Sequence, residues 1–499
     1  MRRTIGVFAA ALFLVHLTTD NHYDYFRDEL YFIDCAHHLD WGYVDFAPLT
    51  IWILRAIEIL FGDSLHAIRL LPALAAAIKV ILTALIAIEF DADGFGIAIA
   101  CLCVVAAPVY LVVDHQFGAN AFEPLFWMGI AYLLIRTIRF DSPQLLAGCG
   151  LLAGLGIENK ITMLFFLATI VAGCVMSPAR GLLLTRWTAL AILLAVICFL
   201  PTLLWQYHRD WPTLQMFENV RRLHKNADLS GADFIWRQAM MLNVGSAAVW
   251  IAGLWFLLRE ARWRAFGYAY LVLLAILIAV GAKDYYLAPI YPLLFAAGGA
   301  SLSRYFLGGG AGWTKYALSF VTVAGGLVAA PLALPLLSPA ELIRYQAMLR
   351  INQPRNQTGQ EGPLPEHFGD EFGWREMAAT TARVYHGLPP DERGHAAILT
   401  KNYGEAGAID FFGPPLGLPP AISGHQNYWL WGPRGYAGDV IIALQFSRDE
   451  LLRMGCASIE DGPTVAHPYA MAEEHFRLEI CRGIRPALAA QWPSLKRWY

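Results

Sequence analysis

Between residues 1 and 336 the chain returns repeatedly to apolar runs of roughly the length that spans a bilayer as a helix. Crossing a hydrocarbon core takes about 20 mostly apolar residues, range about 17 to 25. Within it every backbone N–H and C=O must find its partner inside the segment, which favours helices. Eleven runs qualify, near 4–18, 67–88, 96–113, 118–135, 145–157, 160–176, 183–205, 241–258, 266–281, 286–306 and 313–336. The chain is 57% hydrophobic and 15% charged, against about 25% charged for an average soluble domain. A net charge of −3 offers none of the clustered cationic charge that nucleic acid needs, so a nucleic-acid partner is excluded.

The first run follows Arg2 and Arg3 and lacks a small-residue cleavage site, so it reads as an uncleaved first membrane helix. The stretch 48–62 carries Arg55 and Glu58 on an otherwise apolar helix, which suits the membrane interface. Cytoplasmic loops collect Lys and Arg. Alternate crossings put Arg2 and Arg3, Arg136 and Arg139, Arg180 and Arg186, Arg259 to Arg264, and Arg304 with Lys315 on one side, with the acidic loop Glu89 to Asp93 as the exception. The N-terminus is then cytoplasmic, and 19–47, 206–240 and everything after about 337 lie outside. Two domains are expected: a membrane domain, 1–336, and a water-soluble domain, 337–499, where charged residues, prolines and short alternating runs take over. In the latter, 396–400, 440–446 and 476–483 read as strands and 373–386, 404–412 and 448–455 as helices, an α/β layering. Cys456 and Cys481 share that region, where a disulfide is allowed by compartment but not decided by spacing.

The first outer loop is the densest in chemistry. It holds Asp24, Arg27, Asp28, Glu29, Asp34, His37, His38, Asp40 and Asp45 among aromatic residues. If 25–39 is helical, Asp28 and Glu29 point along different azimuths and cannot serve one atom together. One can face a reaction centre while the other pairs with a cation such as Arg27 or orients the backbone. The alternative is a solvated acidic loop with Asp20 or Asp24 as a helix cap.

The segments Arg27-Asp28-Glu29-Leu30-Tyr31-Phe32, His38-Leu39-Asp40-Trp41-Gly42-Tyr43-Val44-Asp45 and Pro48-Leu49-Thr50 resemble the bacterial family 39 glycosyltransferases, relatives of protein O-mannosyltransferases and of the aminoarabinose transferase that modifies lipid A. Asn120-Ala121-Phe122-Glu123-Pro124, Glu158-Asn159-Lys160 and the run from Lys283 to Pro292 also resemble family segments. The resemblance implies a GT-C membrane fold, a bacterial inner membrane with a periplasmic catalytic face, a polyprenyl-phosphate sugar donor, a glycan, lipid or protein acceptor, and an acidic base in the first outer loop. That acid matches Asp28 and Glu29, with Asp28 the candidate base. Relatives with a known acceptor commonly have an aromatic residue before this Asp-Glu pair. Arg27 stands there instead, a departure that bears on the acceptor more than on the chemistry.

Such a reaction takes a proton from an acceptor as it attacks the anomeric carbon, and a positioned carboxylate contributes about 10² to 10⁴-fold. Displacement with one base inverts that carbon; retention needs a second, nucleophilic carboxylate. The departing lipid phosphate gathers negative charge and calls for cations. Lys283, Arg221, Arg222 and Lys225 are the candidates, with His224 beside them. Lys283 equally reads as an interfacial snorkelling lysine, and 221–225 as a basic helix drawn to anionic headgroups. Arg27, Tyr31, Glu123, Lys160, Tyr285 and Tyr286 are expected to frame the substrates, although Glu158 and Lys160 can also simply pair with each other. The sequence names no cofactor. A divalent cation is the alternative to Lys and Arg at the phosphate, and Asp114 with His115 is too small a set to name a metal site. The soluble segments 402–413 and 417–436 read as tight turns with packing aromatics, as an anion cradle, or as a saccharide-stacking surface. Two other functional classes fit such a chain. A transporter or flippase of lipid-linked or anionic solutes would place ionisable residues at the bilayer midplane within repeated halves, and no such repeat is found. An anchored glycan-binding protein would not need Asp28.

Overall fold

The computed structural model describes residues 2–223, 229–351 and 362–499. The protein is mostly helical, with one small sheet near its C-terminus. Among the described residues, Leu65–Glu89, Ala119–Phe140, Arg186–His208 and Trp313–Ala333 are each long and apolar enough to cross a membrane. Met163–Val175 with Pro178–Leu184, and Gly231–Met241 with Val244–Arg259, qualify only as pairs, bent by 117° and 95°. Length and composition thus identify four crossings, or six with each bent pair as one, against eleven apolar runs in the sequence. The difference lies in runs that fold into shorter or interrupted helices. The run 96–113 breaks into Gly94–Val105 and Pro108–Val113, because Pro108 has no N–H and its ring disfavours continuing the helix before it. The run 286–306 opens with a 3-10 turn, Asp284–Ile290, before the helix Tyr291–Leu307 begins.

The helical body encloses a buried ion pair. Lys79 and Asp114, both fully buried, meet at 2.7 Å, and the Lys79 ammonium lies 4.3 Å from the centre of the Tyr110 ring. Asp114 is therefore committed to an internal ion pair, as buried charges must be, rather than to a metal.

The sheet runs β2-β1-β3-β5-β4, with β1 Ala396–Thr400, β2 Ala421–Ser423, β3 Val440–Leu444, β4 Ser458–Val465 and β5 Phe476–Arg482. β1 is parallel to β2 and β3, whereas β5 is antiparallel to β3 and β4. Strands β1 and β3 are buried along their whole length, as expected for parallel strands covered on both faces. One face packs with the helix Arg27–His37: Leu30, Tyr31 and Ile33 share a core with Trp374, Met377, Ile398, Ala406, Ile409 and Ile442. The other face holds Leu399, Ile441, Leu451 and Leu488. A disulfide joins Cys456 to Cys481, with Cα atoms 5.7 Å apart. β2 and β4 are absent from the sequence reading because β2 has three residues and β4 is a mostly exposed edge carrying Glu460 and Asp461.

Candidate functional site

A cavity of about 2240 Å³ opens between the helical body, the start of the helix Arg27–His37 and the C-terminal elements. Its apolar part is lined by side chains such as Val112, Phe165, Phe199, Phe217, Val244 and Phe320. At its polar end stand Arg27, Asp28, Asp45, Lys160, Lys283 and Tyr403.

The first turn of the helix Arg27–His37 separates two neighbouring acids. Asp28 lines the cavity, its side chain is 38% exposed, and its Oδ1 accepts the Tyr403 hydroxyl at 2.8 Å. Glu29 is fully buried and outside the cavity lining. Its Oε1 accepts from Arg69 Nε at 2.9 Å and from the Phe117 N–H at 2.8 Å. Its Oε2 accepts from Arg69 at 2.7 Å and from the Phe26 N–H at 2.9 Å. Both oxygens are committed to holding the loop together, so Glu29 is corrected from a catalytic candidate to a scaffold. The cation that holds it is Arg69, not Arg27.

Arg27 lines the cavity and pairs with Glu473 at 2.9 Å and Asp370 at 3.3 Å. Burial pushes the Asp370 carboxyl up to about 7, although Arg27 opposes the shift. Tyr31 is corrected as well. It lies behind the wall, its ring stacked 4.5 Å from that of Tyr403 and its hydroxyl 3.1 Å from Asp45 Oδ1. Asp45 reaches the cavity; burial raises it to about 7, while the hydrogen bonds from Tyr31 and Asn427 oppose that rise.

Lys160 donates to Asn120 at 2.7 Å and to Glu123 at 2.9 Å, and its ammonium stands 4.6 Å from the centre of the Tyr286 ring. Glu123 is buried outside the lining, so it anchors Lys160 rather than touching a substrate. Glu158 accepts from the Thr202 hydroxyl at 2.6 Å while Lys160 pairs with Glu123, so the alternative pairing of Glu158 with Lys160 is not formed. Tyr285 and Tyr286 line the cavity with Lys283, and Lys283 makes no ion pair among the described residues. Arg221 and Arg222 are exposed at the end of the helix Pro212–Arg222. Arg222 pairs with Glu218 one turn earlier, while Trp211, Thr213, Leu214, Met216, Phe217 and Val220 of this segment turn to the cavity. The helix thus presents its apolar side inward, and both arginines drop out of the site. Lys225 and His224 lie outside the described residues. Among the described residues no group of three or more His, Cys, Asp or Glu side chains is arranged to hold a metal.

The C-terminal elements supply lining residues that were not assigned from the sequence: Glu366, Asp370, Lys401, Asn402, Tyr403 and Glu473. The segment 402–413 had been singled out, and its glycines explain it. A Cβ on Gly404 would lie 2.3 Å from the Arg27 side chain, and one on Gly407 2.8 Å from the Leu30 backbone. The motif lets the helix Tyr403–Phe412 press against Arg27–His37, which brings Tyr403 to Asp28.

Residues 45–205 match the family described as dolichyl-phosphate-mannose-protein mannosyltransferase. The lipid A galacturonosyltransferase RgtD of Rhizobium johnstonii is 26% identical over 252 residues, 48% of this chain and 51% of the relative; the chain thus spans about half the length of the curated relative it matches. ArnT from Cupriavidus metallidurans, in a crystal structure bound to undecaprenyl phosphate, superposes with a TM-score of 0.60 at 14% identity over 98% of both chains. The archaeal oligosaccharyltransferase AglB from Archaeoglobus fulgidus, in complex with an inhibitory peptide and a dolichol-phosphate, gives 0.51 at 10% identity, over 82% of this chain and 63% of that one. The chain shares the fold of ArnT over nearly its whole length.

Proposed function

We propose that the protein transfers a hexosyl or pentosyl group from a polyprenyl-phosphate donor to a glycan, lipid or protein acceptor on the periplasmic side of a bacterial inner membrane. In this reading the N-terminus is cytoplasmic, residues 1–336 form the membrane catalytic domain, and 337–499 form a periplasmic domain closing over it. The disulfide between Cys456 and Cys481 supports an oxidising compartment for that part. The observation that carries the proposal is one chamber whose lining joins apolar side chains to Asp28, Lys160 and Lys283.

The polyprenyl chain lies along the apolar wall and its phosphate between Lys160 and Lys283. Asp28 takes the proton of an acceptor hydroxyl as that oxygen bonds to the anomeric carbon. The bond from this carbon to the phosphate oxygen breaks, the leaving group departs as polyprenyl phosphate with both electrons, and the two ammonium groups stabilise it. A single displacement inverts the anomeric centre. The lysines meet the phosphate charge without a divalent cation, so transfer persists in excess EDTA.

The test incubates purified protein in nanodiscs with radiolabelled undecaprenyl-phosphate sugars, galacturonic acid among them, and with lipid A, glycan and peptide acceptors. Transfer that falls at least about a hundredfold in Asp28→Asn, with the variant still folded, supports the reading. Equal transfer by both proteins removes Asp28 from the chemistry, and no transfer across the panel overturns the proposal.

A further inference from the structure

We propose that Tyr403 is the positioning residue of the catalytic carboxylate, so that the C-terminal elements complete the active centre instead of merely covering it. This rests on the reading of Asp28 as the base.

The Tyr403 hydroxyl donates to Asp28 Oδ1 at 2.8 Å, and both residues line the cavity. The ring has little freedom. It is stacked between Tyr31, at 4.5 Å and 22°, and His425, at 5.0 Å and 15°, while the Arg27 guanidinium stands 5.8 Å from its centre. Its backbone is held too. Tyr403 opens a helix whose N-cap, Asn402, accepts from the Glu405 N–H at 2.9 Å, and Glu405 answers with bonds to the Lys401 and Asn402 N–H groups at 2.8 and 3.3 Å. Burial first, and the Asp28 charge second, push the phenol well above its ordinary value. At neutral pH it therefore keeps its proton, the one it donates to Asp28.

A carboxylate on a short, partly exposed side chain samples several rotamers. A rigid donor fixed on Oδ1 holds a single rotamer and leaves Oδ2 without a hydrogen bond among the described residues, able to take an acceptor proton. That bond also stabilises the ionised, basic form of Asp28. Of the other charged or titratable groups within reach, Arg27 stands 3.9 Å away on the same turn, and Asp45, Glu366, Asp370 and Tyr285 sense Asp28 across the chamber. All of them remain when the phenol oxygen is removed, so its contribution can be isolated.

The test uses the full chain in nanodiscs with Tyr403→Phe, which keeps the stacked ring. Isotope-edited infrared spectroscopy of the Asp28 carboxylate, with Asp28→Asn subtracted, needs no substrate. The carboxylate stretch should shift in Tyr403→Phe, the signature of one lost hydrogen bond to a charged group. With undecaprenyl-phosphate galacturonic acid, or whichever donor of the panel turns over, kcat should fall about tenfold at unchanged donor KM. In the Asp28→Asn background, Tyr403→Phe should change nothing further. An unmoved carboxylate stretch, or losses that simply add in the double variant, overturns the inference. If Asp28→Asn itself transfers normally, the base assignment falls, and the infrared spectrum still reports separately whether Tyr403 holds Asp28.

Discussion

Two neighbouring residues on one helix turn open onto two different regions of the molecule. At Glu29 both carboxylate oxygens are saturated. Arg69 holds both of its oxygens, bonds the Asp20 and Asp24 carbonyls at 2.6 and 3.1 Å, and stands 3.6 Å from Glu371. Around Asp28 the carboxylate has one donor at 2.8 Å and an open side, with Lys160 and Lys283 on the same chamber. The residue types are alike in both places. What differs is saturation: a buried carboxylate with four hydrogen bonds is scaffold, because any change leaves uncompensated charge in low dielectric, whereas one with spare acceptor capacity facing a cavity can exchange a proton with a substrate.

The comparison is broken most directly by exchanging the outcomes of the two acids. Glu29→Gln or Arg69→Met should cost about 3–5 kcal/mol of stability, seen as a loss of monodisperse protein and a large drop in thermal midpoint. Asp28→Asn should leave the midpoint unchanged while removing activity. A folded, stable Glu29→Gln would invert the assignment.

The two lysines sharpen it further. Lys160→Met leaves Glu123 buried beside Asn120, so both stability and undecaprenyl-phosphate binding should fall, the binding by more than tenfold. Lys283→Met should weaken binding about tenfold with little change in thermal midpoint, since Lys283 makes no ion pair among the described residues and its contact is with the Tyr285 ring. Equal thermal losses for both would show that Lys283 is structural after all.

The polar chamber also sets a pH dependence. Asp45 and Asp370 are raised to about 7, and Glu371 and Glu405 to about 8, each chiefly by burial. Folded protein then binds more protons than unfolded chain between the ordinary carboxyl range and about pH 8. Stability from these groups is greatest at the acid end of that window and declines as pH rises through it. Thermal midpoints measured from pH 5 to 8 should decrease, and Glu405→Gln should flatten the slope. The smallest effect belongs to Arg221→Ala with Arg222→Ala. Exposed charges of this kind contribute about 0–1 kcal/mol, and donor KM should change less than twofold; a tenfold change would return these arginines to the site.

Much of this was legible in the chain. The apolar runs announce a helical membrane body, the segment 19–47 announces the acids, and the strands at 396–400, 440–444 and 476–482 stand where alternating and buried patterns put them. The partner of each acid was not legible. Arg69 is 40 residues from Glu29, and Tyr403 is 375 from Asp28, so neither pairing leaves a local signature. Arg221 and Arg222 misled for a related reason: a basic cluster reads the same whether its helix turns the charges or the opposite face to the cavity.

By itself, then, the sequence determined the solvent each part of the chain prefers and the local periodicity of its elements, because these depend on the side chains of one segment and their nearest neighbours. Which acid is buried and which is exposed, which lysine is paired, and that a C-terminal tyrosine reaches the helix Arg27–His37 were decided only by the tertiary structure. Hydrogen-bond saturation and burial depend on groups from segments far apart in sequence, and packing alone brings those segments together.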